Sequence, residues 1–404
     1  MLTGPPSPSA SCHSSPFAKG RQLKVYSRQD DGHRSSYVDF ACRTFGAKRI
    51  GEAELLSEKD ILLFLMIEEG FGRYVFTALA RSLTGRRTMG LLFQPLPCVS
   101  NPNLKRLVKQ WSLRLLRRLP RISTLTILPH DLHPGFSRIA DGSIHDFQFW
   151  DLPERDVERV RALREQFAVE ILPETEAPPC TEDVLDLAPL THHIRELSGG
   201  RMVIVALGGL NRLKGFDALA SQYIANPALQ HAAFVAAGGE VAAESTKVGH
   251  DLRNAGAWLP DRFLTDEEML ALYAAADAVW CCYSQDYDQA SGILGRAMQL
   301  GVPVIVRAGS LNHRLCEMVE YPHLAINGDD LKQSLSRLPP PLSRKSASQL
   351  VERFRNESLL ALAKAFEGGS VCRTDSCDEV ASTTHNADRA DQMTPLVTRD
   401  VEGR

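Results

Sequence analysis

The chain has 404 residues, of which 44% are hydrophobic and 24% charged, and its formal net charge is −3 at pH 7. These values are typical of an ordinary globular protein of two or three domains and give no reason to expect a nucleic-acid-binding protein. No apolar run reaches the roughly 18–20 residues that a membrane-spanning helix needs. The nine cysteines form no CxxC pair, so the sequence predicts neither a disulfide framework nor a metal site and favours a cytoplasmic protein.

The first half of the chain alternates short apolar runs with helical runs. Residues 1–20 are rich in Ser and Pro and are predicted to be disordered. Strands are then predicted at residues 23–27, 60–67, 88–93, 123–128 and 146–150, with helices between them. Strands that alternate with helices are typical of a parallel, doubly wound α/β sheet, so residues 21–195 are predicted to form a Rossmann-like domain.

The second half repeats this alternation. Strands are predicted at residues 202–207, 232–237, 257–259, 278–283 and 302–306, and helices at 216–223, 240–252, 266–275, 292–300 and 311–320. Residues 196–342 are therefore predicted to form a second Rossmann-like domain. A long helix is predicted at 343–367, and the polar, aperiodic residues 368–404 are predicted to be a disordered tail.

The stretch Asp277–Arg307 indicates a strand, a loop, a helix and a second strand, which is one βαβ unit. Ser291 suits the N-cap of the helix, and Gly292 allows backbone N–H groups to approach a ligand closely. The loop lies at the carboxyl end of a parallel strand, where open α/β sheets bind ligands, and a helix N-terminus favours anions such as a diphosphate. An ordinary βαβ crossover without a ligand has the same pattern.

Two cations occupy the first strand–helix turn of the second half. Arg212 and Lys214 follow the strand at 202–207, so they are predicted to lie at the same sheet edge as Ser291 and Gly292. Cations are mildly unfavourable at a helix start, because the dipole is positive there, and a bound anion would reverse this. The pattern fits either a diphosphate site or a solvated helix start.

Four segments of the second half form a set. They are VALGGLNRLKGF at 205–216, a strand ending in a Gly pair at 232–239, FLTDEEMLALYAAA at 263–276, and the Ser-Gly helix with its following strand at 290–306. Together they resemble the donor-binding domain of GT-B glycosyltransferases of the retaining family-four (group 1) type. The resemblance implies a GT-B fold, with two Rossmann-like domains facing each other across a cleft. It also implies transfer of a sugar from a nucleotide diphosphate sugar to a glycan or lipid-linked acceptor, with retention and without a cofactor or metal, in polysaccharide or glycolipid synthesis.

The resemblance assigns roles to five residues. Arg212 and Lys214 are expected to neutralise the diphosphate as the sugar leaves. Ser291 and Gly292 are expected to supply backbone N–H donors at the helix end. Asp288 is expected to act as a catalytic residue that contacts the donor sugar.

The chain departs from the family pattern at three places. Asp288 and Arg296 stand where the family carries two glutamates, and Gly209 stands where it carries the first cation of the turn. Arg296 cannot accept hydrogen bonds from ribose hydroxyls as a carboxylate does. It is expected either to contact phosphate or ribose or to lie on a solvated helix face, and Arg212 is expected to replace the missing cation.

Candidate acceptor-side residues come from the first half. Gly32 and His33 resemble the loop that faces the cleft after the first strand, although His33 also fits an ordinary loop position. Family enzymes often place a His after a mid-domain strand, but that place holds Gln94 here. His130 is therefore the catalytic candidate, as a group that orients or polarises a substrate hydroxyl, and a loop His that caps the next helix is the alternative.

The segment 104–121, LKRLVKQWSLRLLRRLPR, predicts an amphipathic helix that is strongly basic. A basic amphipathic helix with a Trp is typical of a segment that lies on an anionic membrane surface. The alternative is a Rossmann helix whose apolar stripe packs on the sheet. Membrane attachment suits a peripheral enzyme on the inner membrane face, whereas sparse aromatic residues make nucleic-acid binding a poor fit.

Two other functions remain open. A nucleotide-sugar epimerase has the same architecture, but the sequence shows no convincing pair of acid residues for it. A degenerate, non-catalytic glycosyltransferase-like binding protein is suggested by Arg296, which stands where the family has a glutamate.

Overall fold

The computed structural model describes residues 22–28, 33–99, 103–169, 187–327 and 331–367. Both termini that were predicted to be disordered, 1–20 and 368–404, lie outside the described residues. The same holds for Gly32 and for the side chain of His33, so the predictions for these two residues stay predictions.

The strands of the described residues carry the labels β1 to β11. They are β1 (Leu23–Tyr26), β2 (Lys48–Arg49), β3 (Ile61–Phe64), β4 (Thr88–Leu92), β5 (Ile122–Thr126), β6 (Gly142–Ser143), β7 (Met202–Leu207), β8 (Ala233–Gly238), β9 (Ala278–Cys281), β10 (Val304–Arg307) and β11 (His323–Ile326).

The helices carry the labels α1 to α14. They are α1 (His33–Phe45), α2 (Phe71–Leu83), α3 (Leu96–Val99), α4 (Leu104–Leu116), α5 (Glu154–Val169), α6 (Ala188–Ser198), α7 (Phe216–Ala225), α8 (Pro227–Ala232), α9 (Thr246–Asn254), α10 (Asp266–Ala275), α11 (Gly292–Leu300), α12 (Leu311–Met318), α13 (Leu331–Leu335) and α14 (Arg344–Glu367).

The strands form two parallel sheets, as the alternating pattern predicts. The first has the order β2-β1-β3-β4-β5-β6 and the second the order β11-β10-β9-β7-β8. In the second sheet the chain passes from β7 to β8 on one side and then returns to β9 on the other side of β7. The carboxyl ends of β7 and β9 therefore form a topological switch point, the place where doubly wound sheets bind ligands. The first sheet has its own switch point between β1 and β3.

Two strand predictions are wrong. Residues 146–150 form a 3₁₀ turn, Phe147–Phe149, because the Asp146 carboxylate accepts a hydrogen bond from the Gln148 N–H at 3.0 Å and starts a helical turn. Residues 257–259 contribute only an isolated bridge, between Ala236 and Trp258. The sequence analysis also missed the two-residue strands β2 and β6 and the short edge strand β11, which are too short to show a period.

Buried apolar side chains cover both faces of each sheet. All four residues of β3 are buried, as are all six of β8, which is typical of strands covered by helices on both sides. One large core runs from α1, on the first sheet, to α10 and α11, on the second. The two halves of the molecule therefore share a continuous apolar interior.

Two of the segments that join the halves are a short turn and a long helix. The turn Phe147–Phe149 packs so closely on α11 that a Cβ added at Gly295 would lie 2.6 Å from the Gln148 carbonyl oxygen. The long helix α14 crosses back to the first half, where the Ser358 hydroxyl accepts a hydrogen bond from the His145 N–H at 3.0 Å. Within the described ranges no helix is long and apolar enough to cross a membrane, and no three His, Cys, Asp or Glu side chains cluster as a metal site.

Candidate functional site

The turn between β7 and α7 is built around glycines in the left-handed region. Gly208 has φ of +85° and Gly215 has φ of +74°, a conformation that is costly for other residues. At Gly215 there is no space for a side chain either, since an added Cβ would lie 1.9 Å from the Cys282 carbonyl oxygen. The turn can therefore press against the loop that follows β9.

Hydrogen bonds fix the turn to that loop. The Ser284 N–H donates to the Leu213 carbonyl at 2.9 Å, and the Trp280 indole donates to the Gly215 carbonyl at 3.1 Å. The strand–helix turn after β7 and the loop after β9 are thus a single unit at the switch point of the second sheet.

Lys214 and the first turn of α11 converge on Gly208. A Cβ added at Gly208 would lie 3.2 Å from the Lys214 Nζ and 3.8 Å from the Ile293 Cδ1. The sequence analysis placed Lys214 and the Ser291–Gly292 helix end at one sheet edge, and the structure brings them together. The prediction that Lys214 binds a diphosphate requires this proximity and stays a prediction.

The Lys214 ammonium lies in a poorly hydrated place. Burial lowers the pKa of Lys214 from its usual value. Among the residues that the structure describes, no carboxylate lies within ion-pair distance of this ammonium. A partly buried cation without a counter-ion is suited to bind an anion.

Ser291 is the N-cap of α11, as predicted. Its Oγ accepts a hydrogen bond from the Leu294 N–H at 3.1 Å and lies 2.7 Å from the Tyr283 hydroxyl. The Ser291 side chain is therefore used within the protein, and it orients the helix end rather than reaching a ligand. The helix ends at Gly301, with φ of +71°, where the sequence predicts its end.

Gln148 reaches the same helix end from the first half of the chain. A Cβ added at Gly292 would lie 1.5 Å from the Gln148 Oε1, so only glycine at this position allows the amide to approach. The Gln148 backbone is held on both sides, because its N–H donates to Asp146 and its carbonyl accepts from the Gln299 amide at 2.8 Å. Sequence reasoning missed Gln148, since nothing local relates residue 148 to residue 292.

Arg296 does not lie on a solvated helix face, so that alternative is wrong. Its side chain is 14% exposed, and its guanidinium is 3.6 Å from the Asp151 carboxylate and 4.0 Å from that of Asp266. Burial is the largest influence on the pKa of Arg296 and would lower it, but the negative charges that face the guanidinium, chiefly that of Asp151 and also that of Asp266, together raise the pKa. The other alternative, contact with phosphate or ribose, stays a prediction.

The remaining donor-side candidates have different surroundings. Asp288 uses both oxygens within the protein, because Oδ1 accepts from the Leu311 N–H at 2.8 Å and Oδ2 lies 3.4 Å from the Arg307 guanidinium. Arg212 and Gly209 are exposed, and no hydrogen bond or ion pair of the Arg212 side chain with other described residues is found. Arg212 is therefore free to reach a ligand, whereas Asp288 would first have to give up a partner.

His130 lies elsewhere. It follows β5 and lines a cavity together with Arg353 and Glu357 of α14, so the structure does not group it with Lys214.

Near the switch point of the first sheet, Glu68 accepts a hydrogen bond from the Gln94 N–H, and burial raises the pKa of Glu68 to about 7. Sequence reasoning missed this carboxyl, because nothing in the residues around Glu68 indicates that it is buried.

No protein-family model matches the sequence, and no curated protein matches it. Solved structures do match. The chain is similar to an E. coli structure described as trehalose-6-phosphate bound with UDP-2-fluoro glucose, with a TM-score of 0.51, 9% identity, and coverage of 86% of this chain and 98% of that chain.

Two further structures are similar at lower TM-scores. They are HepE of Anabaena in complex with UDP (TM-score 0.49, 12% identity, 85% of this chain and 94% of that chain) and sucrose-phosphate synthase from Thermosynechococcus elongatus (TM-score 0.47, 13% identity, 86% and 98%). The likeness to the E. coli structure, together with the two parallel doubly wound sheets, confirms the predicted GT-B fold. At 9% identity this likeness concerns the fold alone.

Proposed function

We propose that this protein is a cytoplasmic glycosyltransferase that moves a sugar from a nucleotide diphosphate sugar to a glycan or lipid-linked acceptor. The observation that carries the proposal is the Lys214 ammonium, which lies beside the first turn of α11 with no carboxylate partner among the described residues. Its place is the switch point of a doubly wound sheet, where such folds bind nucleotides.

The chemistry of the step follows from charge. As the bond between sugar and phosphate breaks, negative charge grows on the departing diphosphate. An ammonium in a poorly hydrated place and the N–H groups of a helix end stabilise this charge more in the transition state than in the ground state. The close contact of Gly215 with the Cys282 carbonyl holds the turn that carries Lys214, and the Ser291 cap holds the helix end, so little reorganisation is needed.

We propose that the transfer proceeds with retention, in polysaccharide or glycolipid synthesis. In a retaining transfer of the kind that the resemblance implies, an oxygen of the leaving phosphate takes the acceptor proton, and no protein base is needed. Two observations support this proposal. Asp288 already uses both of its oxygens, and His130 lines a different cavity.

A transfer assay tests the proposal. Radiolabelled nucleotide sugars, beginning with UDP-sugars because the similar E. coli structure holds UDP-2-fluoro glucose, are incubated with the protein, membrane lipid extract and glycans. The Lys214→Ala variant should lose about 10²-fold or more in kcat, since it removes a charge that meets the developing phosphate. Lys247→Ala, which removes an exposed lysine of α9 in the same half, is the matched control and should keep the full rate.

Two results would contradict the proposal. One is a Lys214→Ala variant as active as the control, and the other is a protein that neither binds nor transfers from any nucleotide sugar. A thermal-shift screen with nucleotides and nucleotide sugars separates a wrong donor from the absence of a donor site.

A second candidate is a non-catalytic, nucleotide-sugar-binding protein of the same fold. The observation that favours it is the pair between Arg296 and Asp151, because Arg296 replaces the glutamate that the resemblance leads one to expect. This protein would bind the nucleotide through Lys214 and show no turnover with any acceptor.

We also propose that α4 attaches the protein to an anionic lipid surface on the inner membrane face. Five of the six apolar residues of its predicted stripe are exposed rather than packed on the sheet. They are Leu104, Leu107, Val108, Trp111 and Leu115. Lys105 and Arg118 are exposed beside them, so an apolar face is flanked by cations, as in helices that lie in a lipid headgroup layer.

A further inference from the structure

A cavity of about 290 Å³ lies beside the amino ends of β9 and β10. Asp277, directly before β9, and Gly301, in the turn before β10, form part of its wall together with α5, α6 and the start of α14. The proposed donor site lies at the carboxyl ends of β7 and β9, which form the opposite edge of the same parallel sheet. The cavity is therefore separate from the site around Lys214.

The wall of the cavity is rich in arginine. Its charged side chains are Arg161, Arg164, Arg195, Arg344, Glu165 and Asp277. Arg195 and Asp277 neutralise each other, because two guanidinium nitrogens donate to the two carboxylate oxygens at 2.9 and 3.0 Å. Glu158, outside the wall, pairs with Arg161 and Arg344. Four arginines thus meet three acids, and one positive charge is left over.

Arg164 is the arginine without an acidic partner. Its Nη1 donates to the carbonyls of Tyr273 and Ala276 at the end of α10. With the residues that the structure describes, its Nε and Nη2 form no hydrogen bond and its guanidinium forms no ion pair. Neither nitrogen is among the fully buried polar atoms that lack a partner, so both keep accessible surface. Three of the five N–H donors of Arg164 are therefore available to a ligand in the cavity.

The surroundings of Arg164 disfavour an uncompensated charge. Burial, as the largest influence, lowers the pKa of Arg164 to about 10, although the Asp277 charge acts in the opposite direction. The guanidinium is still protonated at pH 7, so its charge remains in a poorly hydrated place. A counter-ion that also accepts hydrogen bonds would offset this cost.

The rest of the wall limits the size and the chemistry of such a counter-ion. The fork of a guanidinium matches two oxygens of a phosphate group, which carries up to two negative charges. Phe167, Leu300 and Leu342 form the apolar part of the wall and leave a place for a small organic group. The volume is near the lower end of the range of about 300–1,000 Å³ that is typical of small-molecule sites, so the ligand must be compact.

We propose that this cavity binds a compact anion that carries a phosphate group, either inorganic phosphate or a small phosphate monoester. Arg164 donates to the phosphate oxygens from Nε and Nη2. Arg344, whose side chain is 61% exposed, lies at the mouth of the cavity and attracts the anion there. Arg195 adds positive charge while it stays paired with Asp277.

Isothermal titration calorimetry of the full chain, at constant ionic strength, tests this proposal with inorganic phosphate and with glycerol 3-phosphate. All proteins carry Lys214→Ala, so that the proposed donor site does not take up the phosphate. Arg344→Glu should weaken binding about tenfold or more, since it replaces an attracting charge by a repelling one. Lys345→Glu makes the same change of charge at the next residue, which is exposed and outside the wall, and should leave the affinity unchanged.

The two probes distinguish the two sources of phosphate. Tighter binding of glycerol 3-phosphate would identify an ester whose organic part contacts Phe167 and Leu342, whereas equal or weaker binding would identify inorganic phosphate. Both results agree with the proposal.

Arg164→Gln should abolish binding, with circular dichroism to verify the fold because Arg164 also holds the end of α10. Three results would each overturn the proposal. They are no heat of binding at tens of millimolar of either probe, equal weakening by Arg344→Glu and Lys345→Glu, and unchanged binding in a folded Arg164→Gln variant. None of these results bears on the transfer assay, so the two proposals fail separately.

Discussion

Arg296 shows how a single exchange of charge is compensated in this fold. A carboxylate is expected at this position of α11, and the structure supplies one from the other half of the chain, because the Asp151 Oδ2 lies 3.6 Å from the Arg296 guanidinium. The two side chains are only 12% and 14% exposed. In such a buried pair each charge depends on the other, because an unpaired charge in a poorly hydrated place is costly.

We therefore expect Arg296→Met to destabilise the protein by about 3 kcal/mol, since it leaves the Asp151 carboxylate buried and unpaired. The double variant with Asp151→Asn should recover most of that loss. Urea denaturation of both variants measures the difference. Equal losses in the single and the double variant would show that the two charges do not depend on each other.

At the scale of elements, the sequence predicts those whose ends carry local signals. Ser291 and Gly301 bound α11 as expected, and Thr265 with Glu268 forms the capping box that starts α10. The 3₁₀ turn at Phe147–Phe149 was predicted as a strand because three aromatic residues in five favour one. Its true form depends on Asp146, whose capping bond competes with strand pairing.

The residues of the candidate site were likewise predictable only where a local signal in the sequence places them. Lys214 and the end of α11 could be placed at one sheet edge, because both follow strands of a parallel sheet. Gln148 and Asp151 could not, since they reach α11 from residues about 150 positions earlier in the chain. A contact between residues so far apart in the chain produces no periodic pattern and no motif in a single sequence.

The exposed face of α4 leads to a prediction about lipid binding. Trp111→Ser should reduce binding to vesicles that contain anionic lipid about tenfold or more, because the Trp111 side chain is 65% exposed and offers a large apolar surface to the headgroup layer. Co-sedimentation with vesicles measures the effect.

Phe263→Ser is the matched control, since Phe263 is an even more exposed aromatic residue of the other half. Binding should also weaken as salt is raised, because cations flank the apolar face. Loss of binding in both variants, or in neither, would argue against α4 as the membrane-contacting helix.

At the scale of the whole molecule, the junction between the halves holds a buried acid. Asp146 accepts a hydrogen bond from the Tyr37 hydroxyl at 2.7 Å, and burial raises its pKa to about 6. The folded state therefore keeps a proton on Asp146 at a pH where the unfolded chain has lost it. The contribution of Asp146 to the free energy of unfolding is full below the pKa that Asp146 has in the unfolded chain. It falls as pH rises through the pKa that Asp146 has in the folded state.

Asp146→Asn should remove this dependence, since the amide oxygen can still accept the Tyr37 hydrogen bond without carrying charge. Between about pH 4 and pH 7 the variant should gain up to about 3 kcal/mol relative to the wild type. Thermal unfolding of both proteins across that range measures the difference. Asp266→Asn, at an exposed carboxylate, should follow the wild type, and a constant offset between wild type and Asp146→Asn would disprove the assignment.

The backbone contacts at the switch point also restrict which residues around the proposed donor site can be substituted. At Gly215 and at Gly239 a side chain would collide with a carbonyl oxygen only 1.9 Å away, so neither position tolerates substitution. Gln148, by contrast, contacts Gly292 through the end of a flexible side chain. A set of variants that tests the proposed donor site should therefore change position 148 and leave those glycines untouched.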